Sequence, residues 1–79
     1  MTSLLDVPVG AWVRLAPINS AGLERRLRMI GLYPGDCIRI LRLAPFDGPL
    51  LIEAHEREIA LGHQIAGWIM VEVVSCASR

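Results

Sequence analysis

A short amphipathic segment, residues 23–35, constrains the fold of this chain most, because it predicts a helix that ends abruptly and leads into a strand. At 100° per residue, Leu27 and Ile30 lie within about 40° of Leu23 on a helical wheel, whereas Glu24, Arg25 and Arg28 point away. The sequence therefore predicts a helix over about residues 20–30 with a single apolar face. Because an isolated helix of about three turns is marginal in water, that face must pack against the rest of the chain.

Residues at both ends of this helix match the requirements for starting and stopping it. Asn19 or Ser20 can accept a hydrogen bond from the first free backbone amides. Gly31 can adopt the left-handed conformation that closes the last turn, and Pro34 prevents the helix from resuming. Residues 33–36, with the order Tyr-Pro-Gly-Asp, then predict a type II turn. The chain is thus expected to pass from the helix into a strand within a few residues.

Short apolar stretches between turn residues predict about five β-strands around this helix. The predicted strands are residues 12–15, 37–43, 50–54, 57–61 and 69–74, with a helical turn at residues 62–67. The third and fourth strands form a hairpin around His55 and Glu56, and the last is expected to point Ile69, Val71 and Val73 inward. Because closing a small sheet hides its edges, the sequence predicts a mainly β fold, a partly open barrel with the amphipathic helix between strands one and two.

Composition and motifs exclude several classes of function. The eight basic residues, all arginine, balance eight acidic residues, so the chain lacks the positive excess that nucleic-acid binding requires. There is no glycine-rich phosphate loop, no G-x-S-x-G motif, and no histidine beside either cysteine in sequence, so we do not expect an enzyme. With 53% hydrophobic residues and a mean hydropathy of +0.45, part of the apolar surface is expected to serve a partner.

The sequence also indicates where the protein is located. The first ten residues carry no basic segment, which excludes a signal peptide, and the longest uncharged stretch, residues 59–71, falls short of the roughly 20 residues that cross a bilayer. Cys37 and Cys76 lack a CxxC spacing and are expected to be free thiols. We therefore expect a soluble cytoplasmic protein without direct membrane insertion.

A set of short motifs in a fixed order covers roughly residues 4–74. They are Gly10-x-x-Val13, Leu23-Glu24-Arg25-Arg26-Leu27 with Met29 to Gly31, Leu32-x-Pro34-Gly35, Gly48-Pro49, Ile59-Ala60-Leu61 and Ile69-x-Val71. In this order and spacing the chain resembles the FeoA family. The resemblance implies one SH3-like β-barrel domain over residues 1–79, with its core at about residues 4–74. It also implies a cytosolic accessory and regulatory role, through binding to FeoB, the membrane GTPase that imports ferrous iron.

The exposed face of the predicted helix is the first candidate binding site. Arg25, Arg28 and Met29 on this face, beside Leu32 and Tyr33 after the helix, combine guanidinium groups with apolar area, as protein interfaces do. The alternative is that the arginines are solvated and that Glu24 pairs with Arg28 one helical turn away. The resemblance favours contact with FeoB. After the Ala-Leu pair, family members often carry charged residues, whereas this chain is more apolar there, which makes Trp68 a further candidate anchor.

The predicted hairpin provides a second candidate site. If Ile52 and Ile59 pair inward, Glu53 and Glu58 face each other outward, and like charges directly opposite are destabilising. The compensating charge could come from Arg39, Arg42 or Arg57. It could instead be a divalent metal ion, Fe(II) or Zn(II), with the candidate ligands Glu53, His55 and Glu58, and with His63 from another chain. The spacing matches no metal-binding signature, and no cofactor is required.

Two alternative functions remain open from the sequence. The first is a metal-responsive module that binds Fe(II) or Zn(II) around His55 and forms a homodimer through that region. The second is peptide binding in an aromatic groove, as in SH3 modules, although the aromatic residues are scattered. They are Trp12, Tyr33, Phe46 and Trp68.

Overall fold

The computed structural model describes residues 2–73, which form a six-stranded antiparallel sheet with two short helices. The strands are β1 (Thr2–Ser3), β2 (Trp12–Leu15), β3 (Cys37–Leu43), β4 (Leu50–Ala54), β5 (Arg57–Leu61) and β6 (Met70–Glu72). The helices are α1 (Ala21–Met29) and α2 (His63–Trp68), and a 3-10 turn spans Leu4–Asp6. The strand order is β1, β6, β2, β3, β4, β5. The predicted mainly β fold, with the helix between the second and third strands as now numbered, is confirmed.

Strands β2 to β5 have the predicted bounds. The first and the last strand of the chain differ from the prediction. The sequence analysis missed β1, which pairs with β6 through Thr2 and Ser3. The closing strand is also shorter than predicted, because its pairing with β2 ends at Glu72. Ile69 and Val71 are buried as expected, but Val73 is 66% exposed, so its predicted inward orientation is wrong. Val74 lies outside the described residues.

The core consists of side chains from the inner face of the sheet together with residues of the connecting segments. Its largest fully buried members are Leu4, Val13, Leu15, Leu27, Leu32, Ile38, Ile40, Leu50, Ile52, Ile69 and Val71. The strand residues among them follow the period of two that a half-buried strand requires. Among residues 2–73, no polar or charged residue is buried. The sheet therefore has an apolar inner face.

Helix α1 is held to this core by part of its predicted apolar face. Leu27 is 1% exposed, and Leu23 is partly buried against the core. Ile30 is 38% exposed because it is the C-cap residue, beyond the last helical residue Met29. The prediction of a buried face is thus confirmed for Leu23 and Leu27 and wrong for Ile30.

The predicted stop signal at Gly31 forms a complete Schellman motif. Gly31 has a φ of +89°, and its N–H donates to the carbonyl of Arg28 at 3.0 Å. The N–H of Leu32 donates to the carbonyl of Leu27 at 2.9 Å. These are the two hydrogen bonds that define the motif, and both leucines are buried, as its hydrophobic contact requires. At the other end, the hydroxyl of Ser20 accepts a hydrogen bond from Leu23 N at 3.2 Å.

The type II turn predicted at residues 33–36 is also confirmed. Gly35 has a φ of +93°, and Asp36 N donates to the carbonyl of Tyr33 at 3.0 Å. The carboxylate of Asp36 accepts a second hydrogen bond from Tyr33 N at 2.9 Å. Strand β3 begins directly after this turn. Its first residue, Cys37, is disulfide-bonded, so the expectation of a free thiol is wrong there, and Cys76 lies outside the described residues.

Candidate functional site

The exposed surface of α1 presents three of the residues predicted to contact a partner, and a fourth, Tyr33, follows the helix in the turn at residues 33–36. We call Arg25, Arg28, Met29 and Tyr33 the helix face. Met29 is 79% exposed, although it is a large apolar side chain. Arg28 forms the predicted pair with Glu24, with 3.7 Å between Nη2 and Oε2. Because both side chains are exposed to solvent, this ion pair stabilises the helix by only about 0.3–0.5 kcal/mol. Arg28 can therefore leave Glu24 and pair with a residue of a partner protein at little cost in free energy.

Leu32 does not belong to this surface. It was predicted to contact a partner beside Tyr33, but it is buried in the core. The Schellman motif explains the difference, because the residue after the left-handed glycine turns back against the last turn of the helix. Leu32 therefore anchors α1 and is not available for docking.

Trp68 lies on a different surface from the helix face. It is exposed at the C-terminal end of α2 and lines a cavity of about 550 Å³. The cavity is lined by Pro17, Ile18, Asn19, Ser20, Gly22, Leu23, Arg26, Trp68 and Met70, and we call it the Trp68 groove. None of Arg25, Arg28 and Met29 lines it. The structure thus divides the predicted partner-binding residues between two surfaces.

Arg26 is a feature of the site that sequence reasoning did not select. It lines the Trp68 groove and also a neighbouring cavity of about 510 Å³, which contains Asp47 and His63. Its guanidinium forms no hydrogen bond or ion pair with any residue of the range 2–73. The only sequence signal was its position three residues after Leu23, which places the two side chains on one side of the helix. The groove therefore combines apolar walls with one available positive charge.

The charge problem predicted for the hairpin is present and has a structural answer. Ile52 pairs with Ile59, and Glu53 lies directly opposite Glu58, as predicted. On the other side of Glu53, the opposing residue in β3 is Arg39. Opposite charges on adjacent strands are favourable, so Arg39 provides a positive neighbour without any metal ion. The strand register thus places one of the three predicted arginines opposite Glu53.

The four predicted metal ligands are not gathered into one cluster. The Nε2 atom of His55 lies 3.0 Å from a carboxylate oxygen of Asp36, and that of His63 lies 3.6 Å from a carboxylate oxygen of Asp47. Within residues 2–73 there is no group of three or more His, Cys, Asp or Glu side chains that could hold a metal ion. The described part of one chain thus does not bring the four candidate ligands together, and the site at Glu53, His55, Glu58 and His63 stays a prediction.

The metal-site prediction can be tested by measuring the molecular mass of the protein in solution, and hence its oligomeric state, with and without Zn(II) or Fe(II). We expect no change in mass, because each histidine has only one carboxylate partner in the described range. A metal-dependent increase in mass that His55→Ala abolishes would contradict this expectation and establish the metal-responsive alternative.

The aromatic residues do not form one peptide groove of the SH3 type. Trp12 lines a cavity of about 460 Å³ with Asp36 and Glu53, whereas Trp68 lines the groove beside α1. The guanidinium of Arg39 lies 5.9 Å from the ring centroid of Trp12. The two tryptophans therefore belong to separate surfaces of different charge.

Comparison with known proteins decides the family. The FeoA domain matches residues 2–73, which is the whole described range. The chain belongs to the FeoA family. This family is linked to ferrous iron transport, and the FeoA domain is a non-enzymatic accessory domain. Neither helix within residues 2–73 combines the length and the apolar character needed to cross a membrane.

Solved structures, FeoA proteins among them, share this fold. The crystal structure of an iron uptake regulatory protein, FeoA, is 28% identical, with a TM-score of 0.79, and the match covers 90% of this chain and 95% of that one. Iron(II) transport protein A from Clostridium thermocellum is 31% identical, with a TM-score of 0.82, over 92% of this chain and 46% of that one. The crystal structure of ScaR with bound Zn²⁺ is 28% identical, with a TM-score of 0.83, over 94% of this chain and 37% of that one. This chain thus spans less than half of the last two proteins.

Proposed function

We propose that this chain is an accessory and regulatory protein of ferrous iron uptake, which acts in the cytoplasm by binding the cytosolic part of the FeoB membrane GTPase. The match of the FeoA domain over residues 2–73 carries the proposal. Similar structures are those of an iron uptake regulatory protein and an iron(II) transport protein A. Because Cys37 is disulfide-bonded, the cysteines no longer support a cytoplasmic location, and this part of the proposal rests on the family alone.

The helix face is the surface that we assign to FeoB. Helix α1 carries three arginines and one acidic residue, Glu24, which is paired with Arg28. Arg25 has no ion pair within the described range, and Met29 adds exposed apolar area beside it. Arginine and methionine are both enriched at protein interfaces. The matching partner surface is acidic, with an apolar centre.

The proposal predicts that reversing two charges of the helix face weakens binding to FeoB. For the double variant Arg25→Glu/Arg28→Glu, we expect the Kd for the isolated cytosolic part of FeoB to rise at least about 10-fold, since the reversal replaces attraction by repulsion. Isothermal titration calorimetry at two salt concentrations measures this change, and wild-type binding is expected to weaken as salt rises. Arg42→Glu, on the exposed side of β3, is the matched control and should bind as wild type does.

Two results of this titration would count against the proposal in different ways. If the folded wild-type protein does not bind the cytosolic part of FeoB, the association itself is wrong. If the double variant binds as tightly as wild type, the association stands but the helix face is the wrong surface. Circular dichroism of each variant confirms that the fold is retained.

A further inference from the structure

The loop between β3 and β4 presents an aromatic ring to solvent. Phe46 is 98% exposed, the highest value among the large hydrophobic residues of the described range. Phe46 and Asp47 have φ values of 60° and 58°, in the left-handed region that non-glycine residues rarely adopt. The base of the loop is closed by hydrogen bonds from Ala44 N to Pro49 O and from Gly48 N to Pro45 O. The strained tip holds the ring away from its own molecule, so the ring is available for a contact with another one.

The Trp68 groove has the chemistry that complements this loop tip. Its walls include the apolar side chains of Ile18, Leu23, Trp68 and Met70. Arg26 lies where the groove adjoins the second cavity, and it is without a partner among residues 2–73. Such a groove fits an apolar side chain that is followed directly by a carboxylate. Phe46 and Asp47 are such a pair, and the side chain of Asp47 is 89% exposed although one carboxylate oxygen lies 3.6 Å from Nε2 of His63.

We propose that the loop tip of one copy of this chain binds in the Trp68 groove of a second copy, with the ring of Phe46 against Trp68 and the carboxylate of Asp47 at Arg26. Within one molecule the loop adjoins the groove, because Asp47, Arg26 and Trp68 line the same neighbouring cavity. Because each copy carries both the loop and the groove, two reciprocal contacts can form about a two-fold axis. The resulting dimer is symmetric and closed. This inference does not depend on FeoB.

The area involved predicts a weak dimer. A buried phenylalanine removes about 150–250 Å² from solvent, so two rings and the surfaces that they cover bury roughly 800 Å² in total. Stable interfaces bury about 1,200–2,000 Å². The dimer is therefore expected to form reversibly, with a dissociation constant on the order of 100 μM.

Sedimentation equilibrium of the full chain tests the dimer directly. Between about 10 μM and 1 mM, the average mass should rise from 8.7 kDa toward twice that value. For Phe46→Ser we expect the dissociation constant to rise at least about 10-fold, because the variant loses the buried ring. Val9→Ser removes another exposed apolar side chain, outside the loop and the groove, and should dimerise as wild type does.

A charge exchange tests the pairing of Asp47 with Arg26. Arg26→Asp alone and Asp47→Arg alone place like charges together in each contact, so each variant should be monomeric. An equimolar mixture of the two should form a heterodimer, since both of its contacts again join opposite charges. A merely structural role of either residue cannot produce this recovery. Thermal unfolding of each variant shows whether it is folded before mixing.

Three results would overturn the dimer. They are a wild-type chain that stays monomeric at 1 mM, a Phe46→Ser variant that dimerises like wild type, and a mixture of charge variants that stays monomeric. If the wild type is monomeric and Phe46→Ser weakens binding to the cytosolic part of FeoB, the loop belongs to that partner. Failure of the dimer leaves the proposed function untouched, because that proposal is tested by the helix-face variant.

Discussion

Replacement of Leu27 by alanine is expected to lower the free energy of unfolding by about 2–5 kcal/mol, a large part of the total stability of a domain this small. Leu27 is the only buried residue of α1 and is 1% exposed. Its backbone carbonyl also accepts the hydrogen bond from Leu32 N that closes the helix. Without the leucine side chain, α1 retains only the partly buried Leu23 as an apolar contact with the core.

Urea denaturation followed by circular dichroism measures this loss. Met29→Ala is the matched control on the same helix, because Met29 is 79% exposed and its truncation should change the stability by less than about 0.5 kcal/mol. If the free energy of unfolding of Leu27→Ala is within about 0.5 kcal/mol of the wild-type value, and Met29→Ala loses about the same amount, then α1 is not held by the core. The helix face proposed for FeoB depends on this packing, since α1 carries three of its four residues.

The features that the sequence predicted correctly are those with local causes. The start of α1 at Ser20 and its stop at Gly31 each depend on residues within one turn, as does the type II turn at residues 33–36. Strands β4 and β5 were also predicted with their observed bounds. Their turn, His55 and Glu56, has φ values of 54° and 62° without any glycine, so strand pairing overrides an unfavourable turn composition.

The features that the sequence did not reveal arise from contacts between distant segments. Strand β1 has two residues, too few for an alternating pattern, and it exists because Thr2 pairs with Val71. The Trp68 groove joins the segment before α1 to the end of α2, and no local pattern predicts this proximity. The burial of Leu32 is an intermediate case. The Gly31 stop signal was recognised, but the inward turn of the following residue, which usually accompanies it, was not.

The stop of α1 at Gly31 also predicts a specific loss of stability. Gly31→Ala is expected to lower the free energy of unfolding by about 2 kcal/mol, because alanine is strained at the observed φ of +89°. The added Cβ would also lie 2.5 Å from Nη2 of Arg57, which donates a hydrogen bond to the carbonyl of Ile30 at 3.4 Å. Because that nitrogen is the end of a flexible, exposed side chain, its displacement should add at most about 1 kcal/mol to the backbone strain.

Gly35 provides the control that separates these two effects. Its φ of +93° is almost the same, but a Cβ built on it meets no atom within 4 Å. Gly35→Ala should therefore lower the free energy of unfolding by about 1–2 kcal/mol through backbone strain alone. The double variant Gly31→Ala/Arg57→Ala should remain less stable than Arg57→Ala by that same amount. Urea denaturation could instead find Gly31→Ala as stable as wild type while Gly35→Ala is destabilised. In that case the left-handed conformation assigned to Gly31 is wrong, and the placement of the helix face must be revised as well.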